Sequence, residues 1–552
     1  MTNTLLTTLS AERLRLHYAE GTWRDDTIYS LARSHAERAP DKVAIRESHR
    51  AISFGKLIEA ADHFAADLAA RGVRPGQRVM VWLPSRIETA VALLACSRNS
   101  YVCCPSLHRD HTVRAIGSLM ERTRAVILIG EKGYGADADK RDVFEVARAL
   151  PHIRHAYCLD PLDEKPAEPF QGVLYAGVKS LAPDKDPNHV AYLAFTSGTT
   201  GVPKGVLHSD NTLLSNARAM AADWKITPET VIYTLSPLSH NLGFGALIIT
   251  LATGAELVLH DLPKKASLMD RLSAVKANLL FGVPAHAMDL LAELRTREKV
   301  DVGAIRGFRI SGAAVPGEVV AELLGYGIKP QSGYGMTETC SHQYTRPDDD
   351  PELVIETSGR AAPGYEIRIW KEEDREIEMP LGEIGEIGGR GSSLMLGYFD
   401  DQDATEDSFN SKGSFMTGDL GRLDAQGYLR ITGRKKDVIN RGGHKIFPVR
   451  IEALVMQHPA IDRVAIFPVD DQRLGEKVCV AVVLRPEITL EPEALLAHLA
   501  DAGLSRYDMP EFYLQLETLP LTNSGKILKR ELIDRVRQGK LRPTAVRWPA
   551  KK

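Results

Sequence analysis

At 552 residues the chain exceeds the size at which a single hydrophobic core keeps growing, so at least two domains are expected. Hydrophobic residues make 44% and charged residues 26%, the proportions of a folded globular protein and not of a disordered or collagen-like chain. Lys plus Arg at 69 nearly balances Asp plus Glu at 72, for a formal net charge of -3; no bulk field would hold nucleic acid or an anionic membrane, and small molecules are the expected partners.

The N-terminal stretch MTNTLLTTLSAERLRLHYAE has no basic start followed by an apolar core and a small-residue cleavage site, so no secretory leader is expected and the cytoplasm is the expected compartment. Asp41 to Arg46 (DKVAIR) predicts a short strand, Phe54 to Arg71 an amphipathic helix, and Arg78 to Leu83 (RVMVWL) a buried strand. The alternation continues through Ala125 to Ile129, Ala191 to Phe195, Leu257 to Leu259 and Leu279 to Val283, which predicts parallel sheets with helical crossovers. No repeat of fixed period points to a solenoid. Six cysteines, Cys96, Cys103, Cys104, Cys158, Cys340 and Cys479, lack C-x-x-C or zinc-site spacing and are expected to be reduced, mostly core-filling thiols.

Val231 to Ala255 carries no Asp, Glu, Lys or Arg, but Pro237, His240, Asn241 and three glycines interrupt it. Its purely apolar part around Ala246 to Leu251 is too short to cross a bilayer, so a buried element lining a pocket is expected. From about Gly364 the texture changes to short strand-like pieces punctuated by glycine, such as EIRIW, GEIGGRG and Tyr428 to Thr432, which predicts a small twisted β subdomain. Gly433 to Gly443, GRKKDVINRGG, is dense in charge and ends in paired glycines, as an exposed hinge would; a compact tail of roughly a hundred residues follows.

The sharpest local signal is Thr196 to Gly205, TSGTTGVPKG, directly after an apolar strand. Hydroxyls of Thr196, Ser197, Thr199 and Thr200, with backbone amides freed by Gly198, can converge on phosphate oxygens while Lys204 adds positive charge. It is not a Walker loop, because the lysine follows Pro203 and Gly205 stands where Ser or Thr would bind magnesium. Taken alone, such a segment reads equally well as a plain turn.

TSGTTGVPKG resembles the signature loop of the adenylate-forming superfamily of acyl-CoA synthetases, peptide-synthetase adenylation domains and luciferases, and further matches follow in that family's order. Tyr334 to Glu338, YGMTE, is similar to the segment that packs an aromatic ring on adenine and offers Thr and Glu to the triphosphate and its magnesium. Nucleotide-binding roles for Tyr334, Gly335, Met336 and Thr337 and a metal-side carboxylate at Glu338 are implied. Thr417 to Asp419, TGD, matches the position whose aspartate grips the ribose hydroxyls; family members often carry an aromatic where Met416 stands, with Phe415 beside it. Gly433 to Asp437, GRKKD, resembles the domain junction, with Arg434 on the ribose and Lys436 as pivot in place of the more usual aspartate. Pro520 to Lys526, PLTNSGK, matches the loop whose lysine enters the site during adenylation. The face bearing Gly443 would line the thiol channel.

The resemblance also implies that the acid lies near Ser236 to Gly245, SPLSHNLGFG, with His240 as gate to the thiol channel. Asn241 resembles an Asn that bonds a ring hydroxyl in hydroxybenzoate-activating enzymes, though a polar residue satisfied within the fold explains it equally. Leu242, Phe244, Val283 and Pro284 would make an apolar wall, while Gly312, Ala313, Ala314 and Gly333 leave room beside the backbone. The chain looks most like ligases for alicyclic, aromatic or medium-chain acids. The implied fold is α/β: a large N-terminal domain of stacked α/β sheets with a small β subdomain, 1–434, binds ATP and the acid. A hinge joins it to a small mobile α+β domain, 435–552.

The implied activity is ATP-dependent, AMP-forming acyl-CoA synthesis with ATP, Mg2+ and coenzyme A and no prosthetic group, catalysed by Lys526, His240 and Glu338. Acyl loading of a free-standing carrier protein is the alternative, and a sensor of acyl-adenylate is a second. Nucleic acid and an integral membrane segment are not expected, and a homodimer is left open.

Overall fold

The computed structural model describes residues 7–161, 168–170, 182–196, 203–263, 266–297, 301–313, 315–521 and 527–548. Two compact units emerge from its contacts: residues 1–366 with 390–414, and residues 367–389 with 415–552.

The first unit is built on two sheets. Among the described residues one has seven strands, in the order Gly397–Tyr398, Lys204–Ser209, Val190–Thr196, Val102–Cys104, Arg78–Trp82, Ile127–Glu131 and His155–Leu159. The other has nine, in the order Arg360–Ala361, Cys340–Tyr344, Lys329–Met336, Gly307–Ser311, Leu279–Gly282, Val231–Thr234, Glu256–Leu259, Val43–Arg46 and Ala51–Ser53. Their centres are parallel, as the alternation of apolar strands and helices predicts.

Three of the four sheet edges are antiparallel, the exception being His155–Leu159, which runs parallel to Ile127–Glu131, and short connections decide the hairpins there. Lys204–Ser209 returns against Val190–Thr196 because seven residues are too few for a crossover helix. Cys340–Tyr344 returns against Lys329–Met336 for the same reason.

Helices Ile28–Arg38, Phe54–Ala70, Ile87–Arg98, Asp210–Asp223 and Asn241–Thr253 share one apolar core with residues of both sheets, such as Val79 and Tyr192 from one and Ile232 and Phe281 from the other. Helices Val113–Thr123 and Val143–Ala149 cover the far face of the seven-stranded sheet. Leu268–Ala274, Pro284–Arg295 and Gly317–Gly325 cover the far face of the nine-stranded one. Five layers result, and strands buried on both faces explain the near-continuous apolar runs. The charge-free segment resolves into strand Val231–Thr234 and the largely buried helix Asn241–Thr253, which ends at Gly254 with φ 77°. Among the described residues no helix is long and apolar enough to cross a membrane. All six cysteines are free thiols, four of them buried.

The second unit holds a four-stranded sheet, Tyr365–Trp370, Gly385–Gly391, Phe415–Leu423 and Leu429–Arg434, its outermost residues running on into the first unit. It also holds an α+β tail. There the long hairpin Ile461–Asp471 with Gly475–Leu484 packs against helices Pro448–Met456 and Pro492–Asp501. Gly442 and Gly443, at φ 60° and 90°, make the two-residue turn between Ile439–Arg441 and His444–Ile446, a hairpin that requires left-handed residues at both positions.

Candidate active site

Six of the predicted residues, Ser197, Gly198, Thr199, Thr200, Ala314 and Lys526, lie outside the described residues. The flanks of the glycine-rich loop do not: Thr196 ends one strand, Lys204 opens the next, and the two are directly paired. The Lys204 ammonium lies 4.4 Å from the centroid of the Tyr398 ring, within cation–π reach. Tyr398 donates its hydroxyl to Glu338 Oε1 at 2.9 Å. Burial, and then the Glu338 carboxylate, push the Tyr398 phenol well above its ordinary value, so it stays a proton donor. A cation, a phenol and a buried carboxylate are thereby gathered at the paired strand ends Thr196 and Lys204.

YGMTE occupies the end of strand Lys329–Met336 and the turn that follows. Gly335 lies where the returning strand crowds in: a Cβ there would stand 2.0 Å from the Cys340 carbonyl oxygen. Gly335→Ala is expected to destabilise the first unit by about 1–3 kcal/mol or more, because backbone cannot yield as a side chain can; chemical denaturation would measure it. The carbonyl of Thr337 accepts from His208 Nε2 at 2.7 Å, and His208 Nδ1 meets Thr212 Oγ1 at 3.0 Å. Burial holds His208 down to about 4, so it is a neutral, fixed donor that sets the turn bearing Glu338. Tyr334 is buried edge-on to His342, with ring centroids 5.1 Å apart.

In the segment expected to hold the acid, His240 opens helix Asn241–Thr253 and stacks on His108 at 4.0 Å and 13°. His108 Nδ1 meets Ser239 Oγ at 3.0 Å. Burial, then His240 and His111, hold His108 down to about 3. Asn241 Oδ1 accepts the Tyr192 hydroxyl at 3.0 Å, and Tyr192 stacks on Phe244 at 4.2 Å; the fold therefore supplies Asn241 with a partner. Val283 is half-buried just before the helix begun by Pro284. Gly312, with φ 101°, and Ala313 are exposed after strand Gly307–Ser311, and Ser311 Oγ donates to the Gly333 carbonyl at 2.9 Å.

In the second unit, Asp419 and Arg434 face each other across antiparallel strands, 3.3 Å apart, the carboxylate buried and the guanidinium half-exposed. Met416 lies with its sulfur against Gly388, and Phe415 is buried. Lys436 is exposed in a single turn, Lys435–Asp437, and Gly443 is exposed in its hairpin.

The residues fit a magnesium nucleotide. Glu338 supplies one hard oxygen donor, and among the described residues no three His, Cys, Asp or Glu side chains could hold a metal by themselves. A metal here would complete its shell with phosphate oxygens and water, as Mg2+ characteristically does. Tyr398, His208 and His108 escaped the sequence reading: Tyr398 lies 60 residues from Glu338, and no spacing rule joins them.

The chain matches the AMP-binding enzyme family over residues 32–399 and the AMP-binding enzyme C-terminal domain over residues 450–526. A medium-chain fatty-acid–CoA ligase of Escherichia coli (strain K12) is 30% identical over 540 residues, covering 96% of this chain and 95% of that protein. A salicylyl-CoA synthase / salicylate adenylyltransferase of a Streptomyces species is 31% identical over 531 residues, covering 94% and 95%. Among solved structures, ATP-bound MatB from Rhodopseudomonas palustris is similar with a TM-score of 0.82 at 28% identity, covering 93% of this chain and 99% of that chain. The chain belongs to the AMP-binding enzyme family, and within the adenylate-forming superfamily it is an acid–thiol ligase.

Proposed function

We propose that the protein joins a carboxylic acid, alicyclic, aromatic or of medium chain length, to coenzyme A through an acyl-adenylate. The observation that carries this reading is the gathering of Lys204, Tyr398 and Glu338 beside the Thr196 end of the glycine-rich loop. In the first half-reaction a carboxylate oxygen attacks the α-phosphorus of ATP, the bond to the bridging oxygen breaks, and pyrophosphate leaves with the electron pair. In the second, the thiol sulfur attacks the acyl carbon, loses its proton, and AMP departs.

Lys204, the hydroxyls of residues 196–200 and the YGMTE turn hold the phosphates, with Gly312 to Ala314 beside the adenylate. Asp419, oriented by Arg434, grips the ribose. Glu338 would hold Mg2+, which would neutralise phosphate charge. Lys526 bridges the acid and the α-phosphate, two groups of like charge that otherwise repel. His240, Asn241, Phe244, Val283, Gly312 and Gly333 shape the space for the acid.

Between half-reactions residues 435–552 turn about Lys436, withdraw Lys526 and bring Gly443 to the thiol channel. The exposed single turn at Lys435–Asp437 suits such a pivot. That pivot lies inside the second compact unit, so the proposed moving body is smaller than the unit defined by contacts.

Incubation with ATP, a panel of acids and coenzyme A alone should give acid-dependent pyrophosphate release and a thioester. AMP without thioester, with transfer only to a carrier protein, would favour carrier loading. Absence of acid-dependent pyrophosphate release would leave a sensor.

A further inference from the structure

Arg309 sits on strand Gly307–Ser311 with 3% of its surface exposed. Its register partners are Phe281 on one side and Gln331 on the other. One guanidinium nitrogen bonds the Gln331 side-chain oxygen. Its Nη2 has no hydrogen-bond partner among the described residues, and neither has the Gln331 side-chain nitrogen. No carboxylate of the described residues lies within ion-pair distance of it. The rings of Phe281 and Tyr344 stand 6.0 and 5.9 Å away, at the far limit of useful cation–π attraction. Burial lowers the guanidinium's value to about 10, which still leaves it charged at neutral pH.

A lone cation in an apolar interior is costly, and proteins keep such groups paired or in use. The surroundings say what it could be used for. A Cβ at Gly333 would lie 3.1 and 3.2 Å from the two terminal guanidinium nitrogens, so the missing side chain of Gly333 is what lets Arg309 reach that point. A cavity of about 10 Å³ adjoins Arg309, Gln331, Phe281 and Trp224, the room of a single oxygen-sized atom. Helix Asn241–Thr253, which bears Asn241 and Phe244, packs over strand Leu279–Gly282 next to Arg309's own strand.

We propose that Arg309 is a specificity-determining residue at the deep end of the acyl pocket, where its free nitrogen binds an acceptor oxygen, carboxylate or ketone, at the end of the acid remote from the reacting carboxylate. This rests on the proposed placement of the acid against Gly333. The preferred substrates are then oxygenated at both ends, and plain hydrocarbon acids leave the guanidinium unpaired.

The test compares octanoate with octanedioate, and cyclohexanecarboxylate with 4-oxocyclohexanecarboxylate, by acid-dependent pyrophosphate release. The oxygenated member of a pair is expected to be favoured in kcat/KM by about 100-fold or more, because rejecting a substrate that leaves a buried polar group unpaired is efficient. In Arg309→Met that ratio collapses toward one while the melting temperature rises, since the variant removes an uncompensated buried charge; a merely structural arginine would lower it. Arg309→Lys, which keeps the charge, retains part of the preference. Equal rates within both pairs for the native enzyme, or an unchanged ratio in both variants, overturns the assignment of Arg309. Failure of every acid to release pyrophosphate overturns the ligase reading itself.

Discussion

Replacing Lys526 by alanine is expected to slow acyl-adenylate formation by about 10²–10³-fold, the loss seen when one preorganised charge is removed from a developing anion. Thioester formation from a supplied acyl-adenylate should change little. The asymmetry follows from the charges. In the first half-reaction a carboxylate approaches a triphosphate and both are anionic, so a bridging ammonium lowers the barrier. In the second, a neutral acyl carbon meets a sulfur nucleophile and no such repulsion exists. Pyrophosphate exchange and single-turnover thioester formation separate the two steps. Equal loss in both would mean that Lys526 supports the fold and does not take part in one step only.

Glu338→Gln should cut adenylation by about 10²-fold and raise the magnesium concentration needed for half-maximal rate, the effect of removing one charged ligand from a site that stabilises phosphate charge. The substitution is informative because the Tyr398 hydroxyl already donates to Oε1. A glutamine amide oxygen can accept that same bond, so the turn set by His208 and Thr337 is expected to persist while the charge is lost. Titration of activity with Mg2+, alongside a melting curve, checks both halves of the expectation. Unchanged magnesium dependence would remove Glu338 from the metal side. A large drop in melting temperature would show that the negative charge of Glu338 supports the fold.

Much of the architecture was legible because it is encoded locally. Arg78–Trp82, Ile127–Glu131, Leu257–Leu259 and Leu279–Gly282 are short apolar runs between helices, and such strands announce a buried parallel sheet. The antiparallel hairpins at the edges were less visible, since Lys329–Met336 and Cys340–Tyr344 read as motif and not as strands. Their apolar pattern is broken by Gly333, Gly335 and Gln343, which serve close backbone approach and polar contacts instead of packing alone. Asn241 shows the opposite case. Its residue type fits either a substrate hydroxyl or a partner within the fold, and it is the fold that brings the Tyr192 hydroxyl to its side-chain oxygen.

By itself the sequence determined the sheet-and-helix alternation, the family and the order of its motifs, because apolar periodicity and contiguous loops are properties of neighbouring residues. Only the tertiary structure decided which groups stand behind those motifs. Tyr398 between Lys204 and Glu338, His208 on the Thr337 carbonyl, His108 against His240, and Arg309 beneath Gly333 all join residues from separate strands and loops. Hydrogen bonds and charge pairing act through space over a few ångströms, and distance along the chain carries no record of them until the sheets have formed.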